Sequence, residues 1–287
     1  MEYFKTAPLA NGVTLITDLS GVFFYLVEGK EKAALIDSGT GIGNLAEFVK
    51  TLTDKPLTVL ITHVHPDHAG NIYTFADEQV FIPEKDLPDL NTDTLSYETR
   101  RGYYMMMKQI MDPQGSPCPD EMIVRCRDIR PQTVQDHDVF DLGGRSLEAV
   151  AMPGHTFGST AYLDRTNRMI FMGDAANQNT LLCCETSDTL ENYYHALQRL
   201  KGMEGTYDIF LICHGAPLAR KSTVDDLLAL CEEVMAAEKQ GRHVGTIADG
   251  LNPYGDGRRI RETDRFMNRL DGGTGNLVYR PANVWNK

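Results

Sequence analysis

Apolar positions along most of this chain come in short runs separated by turn residues. Residues 13–18, 22–28 and 33–37 are β-branched or aromatic runs broken by Ser20-Gly21 and Gly29, which predicts three consecutive strands in an antiparallel meander. Beyond Ser38-Gly39-Thr40-Gly41, the residues Ile42, Leu45, Ala46, Val49 and Leu52 recur at helical spacing and predict a helix ending near Asp54-Lys55-Pro56. A strand at 57–61, a helix at 71–76 and a strand at 79–82 follow. Further strands are predicted at 138–142, 146–152, 160–164, 169–172 and 208–213, with a closing one at 277–280. Helices are predicted at 190–203 and 224–237. No internal repeat interrupts this α/β alternation.

Residues 84–136 break the rhythm. Residues 95–111 read as a helix crowded with Tyr103, Tyr104, Met105, Met106, Met107, Ile110 and Met111, and 114–119 read as a loop. The block is expected to be a helical insertion over the site. Its methionines suit either a lid adapting to varied apolar shapes or ordinary helix-packing core.

Composition narrows the class. No apolar run reaches the roughly 18 residues a membrane helix needs. The first residues lack the basic-then-apolar pattern of a secretory leader. The six cysteines show no paired spacing, so the expectation is reduced thiols in a cytoplasmic protein with no membrane association. The net charge of −12 argues against a nucleic-acid partner, since it repels phosphate backbones. That charge is uneven: residues 239–287 carry +4 and the rest −16. The basic stretch reads either as a solvated or subunit-contacting face, or as a place where Arg258, Arg259, Arg261 or Arg265 holds the anionic end of a small substrate. A homodimer is left open as the assembly.

The candidate chemistry lies at the ends of strands. Residues 62–70 read Thr-His-Val-His-Pro-Asp-His-Ala-Gly, placing His63, His65, Asp67 and His68 within six positions after an apolar strand. Imidazole and carboxylate are the usual N and O ligands of zinc and other first-row metals. Alternate residues of an extended segment point the same way, so His63 and His65 can reach one ion. Beyond Pro66 the chain turns, and Asp67 and His68 can address a second point. His155, Asp174 and His214 each also follow an apolar strand, beside Gly154, Gly173 and Gly215. Ligands in layered α/β proteins gather in such loops. Singly, His155 or His214 could be a hydrogen-bonded loop histidine and Asp174 a capping residue; as one pattern they read as a metal site.

The order HxHxDH, then Pro153-Gly154-His155-Thr156 with Gly158-Ser159, then Gly173-Asp174, then a strand ending in His214-Gly215, resembles the metallo-β-lactamase superfamily over most of residues 10–240. The resemblance implies a four-layer αββα sandwich with the site at one edge between its two sheets. It implies one domain over 1–287, with the insertion at 84–136 and a basic C-terminal extension at 239–287. By motif, His63, His65 and His155 look like ligands of a first metal, and Asp67, His68 and His214 like those of a second, with Asp174 as the bridge. Asp37 is similar to the family's early aspartate, which supports the site without ligating.

Within that superfamily the chain is most similar to the branch of glyoxalase II and the acyl-homoserine lactonases. It lacks an evident glutathione-binding helical domain, and Asn177 stands where the lactonases carry a tyrosine. The resemblance thus implies a dinuclear metal-dependent hydrolase acting on a small ester, thioester or lactone. Two divalent cations roughly 3.5–4 Å apart lower the pKa of a shared water from 15.7 to about 7, and the metal-bound hydroxide attacks the carbonyl. Zinc is the first choice, with iron or manganese as alternatives. Asp67 is assigned catalytic orientation of the hydroxide, and Asn177 and Tyr194 are candidate substrate contacts. An iron-dependent sulfur dioxygenase-like enzyme, a small-substrate phosphodiesterase and a non-enzymatic metal-binding module are the competing readings. His137, His195 and His243 read as ordinary histidines, and Cys183 and Cys184 as buried apolar residues.

Overall fold

The structure is a computed structural model and describes residues 2–112, 120–248, 256–264 and 267–286. The expected loop at 114–119 and the candidate Arg265 lie outside the described residues. The chain divides into two compact units, Met1–Ala149 and Val150–Lys287.

The first unit is built on a seven-stranded sheet. Strands β1 (Phe4–Pro8), β2 (Val13–Asp18), β3 (Phe23–Glu28) and β4 (Ala33–Ile36) form the expected antiparallel meander, extended by β1. Helix α1 (Leu45–Val49) then carries the chain over to β5 (Leu57–Leu60), which lies parallel to β4. Every residue of β4 is buried, the pattern of a strand in a parallel region. Helix α1 is shorter than its apolar spacing predicts. Gly41 and Gly43 take positive φ, Ile42 is drawn into a bridge with Ile123, and Asn44 caps the helix by accepting from the Glu47 amide. The helix expected at 71–76 is one 3₁₀ turn, Ile72–Phe75.

Strand β6 (Gln79–Pro83) runs parallel to β5. The 84–136 block follows as 3₁₀ turns and helix α2 (Tyr97–Met111), capped by Ser96. It does not remain outside the sheet: β7 (Gln132–Val134) pairs in parallel with β6 as the last strand. Arg100, wholly buried, ties α2 down by donating to Gly70 O at 3.1 Å and Leu95 O at 3.0 Å. Tyr104 faces inward, while Met105, Met106, Ile110 and Met111 are exposed, so these methionines are not helix-packing core. Strands β8 (Val139–Asp141) and β9 (Ser146–Ala151) form a hairpin, and β9 carries the division between the units.

In the second unit the sheet runs in the order β14-β13-β11-β10-β9. Its strands are β10 (Thr160–Asp164), β11 (Met169–Phe171), β13 (Ile209–Leu211) and β14 (Leu218–Ala219), with β11 and β13 parallel. A third, four-stranded sheet has the order β12-β17-β16-β15, formed by β12 (Thr180–Leu182), β15 (Thr246–Ile247), β16 (Arg258–Arg259) and β17 (Leu277–Tyr279). The basic stretch at 239–287 thus supplies three short strands, the expected closing one (β17) and two, β15 and β16, that its Gly- and Arg-rich sequence does not advertise.

Helices α3 (Leu190–Gly202) and α4 (Ser222–Glu238) bury Tyr193, Leu197 and Leu200 with Leu227, Cys231 and Val234 in one core. Each Leu or Val so buried contributes about 1.5–3 kcal/mol. Among the described residues no helix is long and apolar enough to cross a membrane.

Candidate metal centre

In the first unit the histidine loop begins where β5 stops. β4 and β5 lie parallel, so the residue after β4, Asp37, comes beside the residues after β5. It sits at φ +64°, wholly buried. Its Oδ1 accepts from the Thr62 amide at 2.7 Å, and its Oδ2 accepts from Thr62 Oγ1 and from His68 Nδ1, both at 2.8 Å. Thr62 Oγ1 has donated its proton to Asp37, so at 3.0 Å from His63 Nδ1 it accepts the imidazole N–H. One carboxylate thus fixes two histidines with Nδ1 protonated and the Nε2 lone pair directed away from it. The backbone is pinned as well. The Val64 amide donates to the buried Asp86 at 3.1 Å, and both the Ser38 amide and Ser38 Oγ donate to His68 O. Gly70 closes the loop against Thr40: a Cβ here would lie 2.4 Å from Pro66 O and from the Thr40 carbonyl carbon.

The imidazoles of His63 and His65 meet edge to face with centroids 4.8 Å apart, and those of His63 and His68 lie 4.1 Å apart. Asp67 Oδ2 lies 3.5 Å from His68 Nε2.

The second unit, taken by itself, holds the other three candidate donors. His155 follows β9 and donates from Nδ1 to Leu181 O at 2.8 Å, so its Nε2 bears the lone pair. Gly154 makes room for this turn, because a Cβ there would meet Tyr193 Cδ2 at 2.2 Å. Asp174 follows β11 and His214 follows β13, the parallel neighbour of β11. Asp174 Oδ2 lies 3.7 Å from His155 Nε2 and 3.3 Å from His214 Nε2. Its Oδ1 accepts from Asn177 Nδ2 at 3.1 Å.

These distances test whether cations fit. His68 Nε2 and His155 Nε2, both acceptors in this tautomer, face carboxylate oxygens at 3.5 and 3.7 Å. Two acceptors facing one another repel unless a positive charge lies between them. Neutral imidazole and carboxylate together are the donor set of zinc and other first-row divalent ions. The residues of each unit fit such ions.

The remaining sequence candidates fall as follows. Asn177, expected at the substrate, is buried and holds Asp174. The Tyr194 hydroxyl donates to Glu232 of α4 at 2.8 Å. His137, His195 and His243 pair through Nδ1 with Glu148, Gln198 and Glu238. Cys183 is buried as expected, but Cys184 is half-buried. Cys184 is more than an apolar filler: the Cys183 thiol donates to it and His155 lies nearby, which pulls the Cys184 thiol below its ordinary range while Cys183 is pushed up. Sequence reasoning missed Thr62, Asp86 and the carbonyl of Leu181. None has a motif of its own; only the parallel register of β4 and β5 signals that a residue after one reaches a residue after the other.

The comparisons agree with this geometry. A profile described as "Metallo-beta-lactamase superfamily" matches residues 17–207. The human acyl-coenzyme A thioesterase MBLAC2 is 29% identical over 225 residues, covering 70% of this chain and 76% of that protein. A hydroxyacylglutathione hydrolase of Bdellovibrio bacteriovorus is 25% identical over 190 residues, covering 65% of this chain and 60% of that protein. Among solved structures, a metallo-beta-lactamase from Pontibacter korlensis aligns with a TM-score of 0.57 at 20% identity, covering 79% of this chain and 98% of that one. That structural likeness shows the fold.

Proposed function

Because the chain belongs to the metallo-beta-lactamase superfamily, we propose that this hydrolase cleaves a small thioester with the help of two divalent cations, zinc first. Two relatives are named as thioesterases, the human protein above and an atrochrysone carboxyl ACP thioesterase from Aspergillus fumigatus, 26% identical over 191 residues, and a third as a hydroxyacylglutathione hydrolase. The observation that carries the reading is Asp174 Oδ2 between two histidine nitrogens, the arrangement of a carboxylate shared by two ions. His63, His65 and His155 would hold one ion and Asp67, His68 and His214 the other, with Asp174 common to both. The ions, when bound, lower the pKa of water to about 7 and polarise the carbonyl.

This chain's residues do the rest. Asp37 keeps His63 and His68 in the tautomer that offers Nε2. Asn177 holds one oxygen of Asp174, leaving the other for the site. Asp67 accepts a proton from the attacking water and so orients its lone pair toward the acyl carbon. The carbonyl carbon gains the water oxygen and loses the thiolate, and the released proton leaves on a carboxylate or with solvent. A thiol of pKa about 8.5 departs without a strong acid.

We further place the enzyme in the cytoplasm, acting on a small molecule without nucleic acid. No disulfide joins the five described cysteines, which supports that compartment. The test is hydrolysis of a panel of acyl-coenzyme A, acylglutathione, lactone and phosphodiester substrates after loading with zinc, manganese or iron. The expected result is turnover of thioesters above the others, abolished in His65→Ala and Asp174→Ala along with bound metal. Turnover that survives in both variants overturns the site, and preferred cleavage of the phosphodiester overturns the substrate class.

A further inference from the structure

The six described arginines of the basic C-terminal stretch are not alike, and Arg242 donates to Gln240 Oε1 at 2.8 Å. Arg258 donates to the carbonyls of Val244 and Gly245 at 3.2 and 2.9 Å. Arg261 pairs with Glu233, Arg269 with Asp271 and Arg280 with Asp256. Arg259 stands apart. Its Nη2 contacts Met267 Sδ at 3.6 Å, its Nε is buried with no hydrogen-bond partner, and no carboxylate among the described residues pairs with it. Burial lowers its pKa, as expected for a cation held away from water without an anion. A half-buried guanidinium left this way costs stability. Its five donors in a planar fork match phosphate geometry.

Register connects Arg259 to the metal centre. In the third sheet Arg259 pairs with Val278 of β17, and Val278 with Leu181 of the edge strand β12. Residues opposite one another share a face, and strands lie about 4.8 Å apart, so the Arg259 backbone is about 10 Å from that of Leu181. The carbonyl of Leu181 is the one that accepts from His155. The same face carries Cys183 and Ala248, which pack with Val278. A guanidinium that no carboxylate among the described residues pairs with thus sits about two strands inward from the edge that holds the candidate ligand His155.

We propose that Arg259 binds the phosphates of the coenzyme A portion of an acyl-coenzyme A substrate, with the pantetheine arm spanning the distance back to the metal centre. This rests on the thioester reading above and adds the carrier group. An acylated small thiol without phosphates would leave Arg259 unsatisfied.

Calorimetry with metal-loaded protein tests it, using free coenzyme A and free pantetheine as probes so that no turnover is needed. The wild type is expected to bind coenzyme A at least tenfold more tightly than pantetheine. Arg259→Gln is expected to weaken coenzyme A at least tenfold and pantetheine less than twofold, removing the preference. Arg259→Lys retains the charge without the fork and is expected to fall between; it serves if the glutamine variant does not fold. Coenzyme A affinity that is equal in wild type, Arg259→Gln and Arg259→Lys overturns the proposal, as does wild-type binding of coenzyme A no tighter than pantetheine. Failure of the thioester reading is separate: it shows as wild-type protein that hydrolyses no thioester, whatever Arg259 binds.

Discussion

His68 Nδ1 donates to Asp37 Oδ2 at 2.8 Å across a sequence separation of 31 residues, with both side chains wholly buried. The same oxygen receives Thr62 Oγ1, which in turn serves His63. Asp37 therefore decides which nitrogen two candidate ligands present. Asp37→Ala is expected to lower metal affinity about 10–100-fold, the usual cost of losing an outer carboxylate. Chelator competition with zinc checks this. An affinity within twofold of wild type would show that the histidines hold their tautomer without it.

Asn177 acts in the second unit, on Asp174. Its amide holds Asp174 Oδ1, while its own Oδ1 accepts from the Asn179 amide at 2.8 Å. Asn177→Ala is expected to reduce bound metal without abolishing it, and Asp174→Ala to reduce it further. Metal content per chain after dialysis ranks the three proteins. A substrate-contact role alone would leave the metal content of Asn177→Ala at the wild-type level and change only KM.

Gly70 ends the histidine loop where backbone meets backbone. A methyl group would meet Pro66 O, Thr40 O and the Thr40 carbonyl carbon at 2.4–2.5 Å, and none of these atoms is the tip of a flexible side chain. Gly70→Ala is expected to destabilise the protein by about 1–3 kcal/mol through overpacking, with metal affinity falling because His68 lies two residues away. Urea unfolding and zinc competition measure the two effects. Unchanged stability would mean that the loop can yield.

Asp226 fastens the C-terminal segment to α4, its Oδ2 accepting from the Thr274 amide, Thr274 Oγ1 and the Gly275 amide at 2.6–3.2 Å. Burial pushes its carboxyl up, but those hydrogen bonds and Arg269 outweigh burial and leave it below the ordinary 3.8. A depressed folded value stabilises above the unfolded one and is lost as pH falls through the folded one. Asp226→Ala is expected to cost about 1–2 kcal/mol near pH 7, a modest value because the site is partly solvated. The gap in Tm between the two proteins should stay level down to about pH 5 and close below 3.8. A gap that persists at the acid end would place the effect in packing rather than charge.

Local physics made much of this protein legible in its sequence. Strand β2 begins and ends where its β-branched alternation does, and α3 where its apolar spacing does, because neighbours three or four apart decide those elements. The seven ligand candidates were visible for a related reason: each follows an apolar strand, and metal-binding side chains are few in kind. The tertiary structure decided what depends on distant partners. Ile42 left a predicted helix for a bridge to Ile123, and Gln132–Val134 became an edge strand of a sheet that its own three residues do not foretell. Arg258, Arg259 and Arg261 are indistinguishable as letters; only the carbonyls and carboxylates brought to two of them leave the third uncompensated. Asp37 and Asn177 belong with these. Their roles lie in single hydrogen bonds to Thr62, His68 and Asp174, and a hydrogen bond requires a few tenths of an ångström and a direction, which only the folded chain supplies.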